Sequence, residues 1–370
     1  MIRILNIISD TNIGGAGRAV LTYLKYMNRE RFEAAVALPR GSLLTERIRA
    51  LDIHAFEVDA ISDKSFDPAG IKALKQVIRN WNPDIVHTHG SLSGRIAGKQ
   101  CGCKVIYTRH SVFPVSPKIS KGPGKLANKI INEHYADRII AVSPAAVENL
   151  TDGGIRRDMI DVVYNGVERL TPAPQEKKAA LRDEFGIREG VFTAAIMARV
   201  IDYKGHMDIL EAARILRDQG LDFVILICGT GEEDYVKEVK TRIAEYGLEK
   251  QVILAGFRKD VPEILSILDV QLNASYGTEA TSLALLEGFS LGVPAIASDY
   301  GGNPFVVENG KNGLLFPTRD TAALAAALER MIRDRALSAS LGTGALDSYN
   351  TKFTAQVYAE NVEKVYLQTI

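Results

Sequence analysis

The sequence has no run of about 18 apolar residues, so no membrane-spanning helix is expected. It is also poor in cysteine. Cys101, Cys103 and Cys228 are odd in number and follow no framework spacing. That excludes a disulfide scaffold and fits thiols in a reducing, cytoplasmic setting. The Cys101-x-Cys103 pair is too tight for a zinc pair, and no second pair matches it. Short repeats and low-complexity segments are absent. Net charge is also absent, since 45 Lys and Arg face 45 Asp and Glu. The first apolar strand, at 2–8, is too short for a signal sequence, so secretion is not expected. What is there is an ordinary globular mixture, 46% hydrophobic and 24% charged, which excludes disorder.

A length of 370 residues predicts about two domains. Zero net charge hides an asymmetry between two halves. Residues 1–170 carry a balance of +7 and residues 171–370 a balance of −7. A basic half joined to an acidic half suggests that one of them meets something anionic.

Both halves read as strands alternating with helices. Apolar strands are expected at 2–8, 34–38, 84–88, 104–108 and 138–142, then at 193–198, 223–228, 252–255, 270–273, 295–298 and 313–316. Helical spacings lie between them, so the fold class is α/β, with two parallel, doubly wound sheets. Pro172 and Pro174 break the rhythm and mark a linker. The expected domains are 1–169 with a returning helix at 352–370, and 175–351. Two such domains leave a cleft as the expected ligand site. The tail at 351–367 is amphipathic and predicts a last helix.

Several motifs sit where strands end. Gly14, Gly15 and Gly17 follow the first strand and open a helix carrying Arg18, which suits an anion. The spacing is not Gly-x-Gly-x-x-Gly, which disfavours a dinucleotide cofactor. His87-Thr-His89 points two imidazoles one way on a strand, but a third metal ligand is missing, so no metal is expected. Arg109 and His110 end another strand. Lys118, Lys121, Lys125 and Lys129, among Pro117, Gly122, Pro123 and Gly124, read as a mobile basic loop entering a helix. The choice there is between a solvated loop and a contact with anionic lipid or a diphosphate.

In the second half, Arg199 and Lys204 follow its first strand with Gly205 beyond, a cation pair suited to a diphosphate. Gly229 and Gly231 end the next strand and allow close backbone approach. The most specific piece is Glu279-Ala280-Thr281-Ser282 leading to Glu287-Gly288. A carboxylate among Leu283, Leu285 and Leu286 is costly unless used. Two carboxylates around a helix start present acceptors for sugar hydroxyls beside amides for a phosphate.

This ordered set resembles the family 4 retaining glycosyltransferases, also called group 1, with the GT-B fold. The resemblance runs through Gly14-Gly15 with Arg18, Val86-His-Thr-His89, Thr108-Arg-His110, Ala141-Val-Ser143, Tyr164-Asn-Gly-Val167, Arg199 with Lys204, Gly229-x-Gly231, Glu279 with Glu287, Val293-Pro-Ala-Ile-Ala-Ser298 and Gly301-Gly302. It implies a transferase whose co-substrate is a nucleotide sugar, most commonly a UDP-sugar, held mainly by the C-terminal domain, with no metal and no cofactor. It further implies that Arg199 and Lys204 neutralise the diphosphate, that Glu287 holds the ribose, and that Glu279 and His110 meet the donor hexose. By the same resemblance Gly14-Gly15 closes over the diphosphate, and the last helix returns to the N-terminal domain. Ala280, Thr281 and Ser282 stand where relatives often carry Gly-Phe-Gly or Pro-Phe-Gly.

The expected activity is transfer of a sugar to a glycan or lipid-linked saccharide in polysaccharide biosynthesis, at the inner face of the membrane. Arg18, His89, Arg109, Lys118 and Lys121 are expected on the acceptor side, and no nucleic acid is expected as a partner. Two alternatives share the architecture: a nucleotide-sugar epimerase and a non-catalytic nucleotide-sugar binder.

Overall fold

The computed structural model describes residues 1–59, 61 and 66–370. The chain divides into two compact units, Met1–Val167 with Phe353–Ile370 and Glu168–Lys352. Each is a parallel sheet with helices on both faces.

In the first unit the strands are β1 (Ile2–Ile8), β2 (Phe32–Pro39), β3 (His54–Val58), β4 (Ile85–His89), β5 (Lys104–Arg109), β6 (Arg138–Ala141) and β7 (Ile160–Val162). Their order is β3-β2-β1-β4-β5-β6-β7. Alternation along β1 sends Ile4 and Ile8 into one core and Leu5 and Ile7 into the other. The helices that matter for the site are α1 (Gly15–Tyr26), α2 (Leu92–Gln100), α3 (Gly122–His134) and α4 (Pro144–Asp152). Ser91 and Ser143 cap α2 and α4 through their side chains. The basic segment is more ordered in outline than a loop: Pro117–Ser120 is one helical turn and α3 follows at once. The edge strands β3 and β7 lie outside the strands expected from the sequence. Both are short and only partly buried, so neither carries a continuous apolar run.

The second unit contains β8 (Phe192–Met197), β9 (Phe223–Cys228), β10 (Val252–Gly256), β11 (Val270–Asn273), β12 (Ala295–Ser298) and β13 (Gly313–Phe316), ordered β10-β9-β8-β11-β12-β13. Helices α5 (His206–Asp218) and α6 (Leu283–Ser290) follow β8 and β11. The chain then returns to the first unit as α7 (Ala355–Thr369), capped by Thr354. There Tyr366 packs edge-on to Tyr23 of α1, ring centroids 5.6 Å apart, and against Phe32. Gly166 lets this helix start close: a Cβ there would stand 2.3 Å from the Thr354 carbonyl oxygen.

The order of each sheet reverses once, between β1 and β4 and between β8 and β11. The chain leaves these strand pairs in opposite directions, which opens a crevice at their carboxyl ends. Asn6, His87 and His89 lie at that reversal in one unit. Arg199, Asn273 and Ser275 lie at or just past it in the other.

Candidate functional site

In the second unit the site is built around one buried carboxylate. Glu279 is 8% exposed. Its Oε2 accepts from Lys204 Nζ at 2.8 Å, Ser275 Oγ at 2.9 Å and Asn273 Nδ2 at 3.2 Å. Its Oε1 takes no hydrogen bond from the described residues and is the open acceptor. Lys204 also approaches Ser275 Oγ and the Thr278 carbonyl. A buried carboxylate is tolerable here because an ammonium and two neutral donors converge on one oxygen.

Backbone detail explains how residues 75 apart meet. Lys204 ends a 3₁₀ turn, and Gly205 then takes φ +75° with its Cα against Ala274, where a Cβ would come within 2.2 Å of the carbonyl oxygen. Only glycine fits that junction. Ser298 Oγ donates to the Ser275 carbonyl and Tyr300 OH to the Gly277 carbonyl, tying down the loop that carries Glu279. Gly302 donates its amide to the Glu279 carbonyl at 2.8 Å, and a Cβ there would collide with Ala280.

The structure departs from the sequence reading in three ways. Lys204 was paired with Arg199, but its ammonium is held by Glu279. Arg199 is exposed and donates to Tyr203 OH at 3.2 Å. Gly229 and Gly231 make their close approach to protein rather than to open space: a Cβ on either would strike the carbonyl of Ala198 or Val200. They hold the Arg199 loop against the end of β9. Third, Glu287 is not enclosed by leucines. It lies with Leu283 on the half-exposed face of α6, while Leu285 and Leu286 are buried behind. Ala280 and Thr281 are buried, and Ser282 caps α6 through its side chain.

In the first unit, three imidazoles line the β4 and β5 ends. His87 bonds to Tyr366 OH at 2.7 Å through Nδ1 and to Thr108 Oγ1 at 2.6 Å through Nε2. His89 Nε2 lies 3.2 Å from Asn6 Oδ1, and His89 Nδ1 lies 2.8 Å from His110 Nε2. Both nitrogens of His87 and of His89 are thus engaged by protein groups, which removes the lone pairs a metal would need. Assigning hydrogens from the network, His89 donates to Asn6 and accepts from His110. That leaves His110 Nδ1 as an unprotonated acceptor, buried and without a partner among the described residues. Burial drives all three towards neutrality: His87 falls to about 3, His110 to about 4 and His89 well below its ordinary value.

The other first-unit positions divide by face. Arg109 points to the opposite face of β5 from His110, where it bonds Asn149 Oδ1 at 3.0 Å and Tyr107 OH at 3.4 Å. Lys118 and Lys121 are exposed on the turn that precedes α3. Gly14 caps α1 without a side-chain bond, and a Cβ on Gly15 would meet nothing within 4 Å. Arg18 follows on α1, half-buried. Asn6, Asn273, Ser275 and Tyr366 were not singled out from sequence, and Ser298 only as the end of the Val293–Ser298 motif. No local pattern marks a polar residue whose partner lies across a sheet.

Two family models divide the chain between them: "Glycosyltransferase Family 4" matches residues 13–169, and "Glycosyl transferases group 1" matches residues 177–347. The chain belongs to the family 4 glycosyltransferases. As a member it is similar to the Escherichia coli UDP-Gal:alpha-D-GlcNAc-diphosphoundecaprenol alpha-1,3-galactosyltransferase, 27% identical over 88% of this chain and 87% of that protein. It is also similar to the amylovoran biosynthesis glycosyltransferase AmsK of Erwinia amylovora, 28% identical over 82% of this chain and 74% of that one. Among solved structures, Anabaena Alr3699/HepE in complex with UDP-glucose superposes with a TM-score of 0.85 at 22% identity, covering all of both chains. The fold of this glycosyltransferase is therefore GT-B, two Rossmann-like units in one chain.

Proposed function

We propose that this glycosyltransferase moves a hexose from a UDP-sugar, with retention of configuration, to a lipid-linked saccharide during polysaccharide biosynthesis. The observation that carries the reading is the buried Lys204–Glu279 pair beside exposed Arg199, at the end of β8 and the loop after β11. In this reading 1–169 with 352–370 is the acceptor domain and 175–351 the donor domain. Glu279 Oε1 accepts from a hydroxyl of the donor hexose. Lys204 is positioned by Glu279 and exposed Arg199 is held by Tyr203 OH, and together they meet the diphosphate as its charge develops. Gly14 and Gly15, the amides around Ala280–Ser282, and Gly229 with Gly231 shape the backbone around the donor. Glu287 takes the ribose hydroxyls, and the open Nδ1 of His110 accepts from the sugar. Arg18, His89, Arg109, Lys118 and Lys121 belong to the acceptor side. Charge stabilisation comes from cations and amides, so no metal is invoked. The named E. coli and Erwinia relatives, and UDP-glucose in Alr3699/HepE, support the donor and the pathway.

A thermal-shift series tests the donor. UDP and UDP-sugars should raise the melting temperature by mass action, and GDP should leave it unchanged. A shift with GDP alone overturns the UDP assignment. Proton spectra of the first-formed product report the anomeric configuration.

The acceptor's lipid anchor implies peripheral membrane contact, and α3 supports it. No residue of α3 is fully buried. Leu126, Ile130 and Ile131 form an exposed apolar stripe, whereas Asn128 and Asn132 face inward. Lys118 and Lys121 flank the stripe. Exposed apolar side chains rimmed by lysine fit the interface of an anionic bilayer. The protein should pellet with vesicles containing phosphatidylglycerol and stay in solution with phosphatidylcholine alone. Ile130→Glu should abolish pelleting. Equal binding to both vesicles argues against the anionic contact. No helix among the described residues is long and apolar enough to cross the membrane.

A further inference from the structure

A cavity of about 240 Å³ lies in the first unit between β5, α3, α4 and the segment around Phe113. Tyr107, Arg109, Asn128, Asn132 and Asn149 line it. It is on the opposite face of β5 from the histidine row. Arg109 lines it, and Arg95 lies behind the lining residues Tyr107 and Asn132. Arg95 is 6% exposed, lies over the Tyr107 ring at 4.5 Å and donates to Asn132 Oδ1 at 2.8 Å. Arg109 reaches Tyr107 OH and Asn149 from the other side. Neither has a carboxylate within ion-pair distance among the described residues. In both, Nε is buried and donates to nothing described. Other partly buried arginines are treated differently: Arg138 holds Asp161 at 2.5 Å, and Arg258 holds Glu184 and Asp260.

Guanidinium stays charged, so one buried and one half-buried guanidinium with only neutral partners are an electrostatic debit. Their mutual repulsion adds to it, and burial together with Arg109 already pulls Arg95 down from its ordinary value. Asparagine carbonyls satisfy single N–H groups and supply no opposite charge. The missing element is an anion. The planar fork of arginine matches a phosphate oxygen pair, and Asn128 and Asn149, which donate to the Gly153 and Phe113 carbonyls, each keep one further amide N–H. The mouth carries exposed Phe113 and Ile119, next to the apolar stripe of α3. An anion entering there has apolar surface beside it.

We infer that this cavity is a phosphate-binding site, and that it takes the phosphate or diphosphate linking the acceptor saccharide to its lipid. The anion site stands on its own geometry. Its assignment to the acceptor rests on the function proposed above. The lipid chain then leaves along α3, and the site recognises the linkage group whatever sugar the acceptor carries.

The experiment is a calorimetric titration of the full-length protein with inorganic pyrophosphate, with UDP present at saturation to occupy the donor site. Wild type should bind one pyrophosphate. Arg109→Gln should weaken it at least tenfold, Arg109→Lys less, and Arg199→Ala should leave it unchanged. The unliganded melting temperature of Arg109→Gln should stay level or rise, because a repelling cation has been removed. A merely structural arginine predicts the reverse: a lower melting temperature with unchanged pyrophosphate affinity, which overturns the proposal. Absence of pyrophosphate binding in wild type also overturns it. Arg109→Gln should keep its binding to phosphatidylglycerol vesicles, which separates this site from general headgroup attraction. Loss of vesicle and pyrophosphate binding together assigns the effect to the headgroup surface and overturns the cavity. Should UDP fail to bind while Arg109→Gln still loses pyrophosphate, the donor reading falls and the anion site stands.

Discussion

Glu279→Gln is expected to lower kcat/KM for sugar transfer by about 100- to 1,000-fold, the scale seen when one preorganised charge-stabilising group is removed. The amide is nearly isosteric, so its oxygen can still accept from Lys204, Ser275 and Asn273. Its NH₂ then stands where Oε1 was, and an acceptor for a sugar hydroxyl becomes a donor. Lys204 also loses its counter-charge while only 17% exposed, so its position against the diphosphate loosens. Glu279→Ala goes further and removes the anion from a buried pair. Breaking such a pair by deleting one partner costs about 3–5 kcal/mol. Urea midpoints of the single variants and of Lys204→Met/Glu279→Gln separate these effects. The double variant should be less destabilised than the two singles predict together, because the buried charge left alone in one of them is gone. Glu279→Gln with wild-type kcat/KM would remove Glu279 from the site.

The parts of this site that were readable in the sequence are those fixed by local pattern. Strands buried on both faces give near-continuous apolar runs, and β8 and β9 are of that kind. Glu279, Lys204 and His110 were visible because each stands next to a strand end or a glycine. Their partners were not. Lys204 meets Glu279 across 75 residues and His87 meets Tyr366 across 279. No periodicity links such pairs; parallel pairing at the sheet reversal does. The same limit explains Gly229 and Gly231. Their spacing advertises a tight backbone, but only the neighbouring β8 loop shows what they are tight against. Helix α3 is a converse case. Its apolar residues have ordinary helical spacing, which normally marks a core face, yet here that stripe points outward. Sequence supplies the stripe; whether a core meets it is decided by the rest of the fold.

Acidification is expected to destabilise the first unit well before the second. The sign follows from protons bound. Unfolded histidine titrates near 6.5. In the folded first unit His87 titrates at about 3, His110 at about 4 and His89 well below normal, each because burial penalises the imidazolium. Below about pH 6.5 the unfolded chain therefore binds more protons than the folded one, and stability falls as pH falls. The contribution of these neutral rings is fully present above that pH and is lost on the way down towards 4 and 3. Glu363 on α7 opposes it, since burial raises its carboxyl and the folded state takes up that proton early. Above the carboxyl range the difference is set by the three rings, about three protons or roughly 4 kcal/mol per pH unit. The second unit has one such histidine, His206, lowered to about 4 by burial, and one opposing acid, Asp208, raised by burial. Between pH 7 and 5 one ring against three leaves its slope about a third as steep. Hydrogen exchange of the intact protein between pH 7 and 5, corrected for intrinsic rates and read by peptide, resolves the two units. Protection in β1, β4 and β5 should collapse while β8 and β9 stay protected. His89→Gln keeps a polar amide between Asn6 and His110 and removes one titrating ring, so it should flatten the first unit's slope by about 1.4 kcal/mol per pH unit. Parallel loss of protection in both units would show that the histidine row does not set the acid limit.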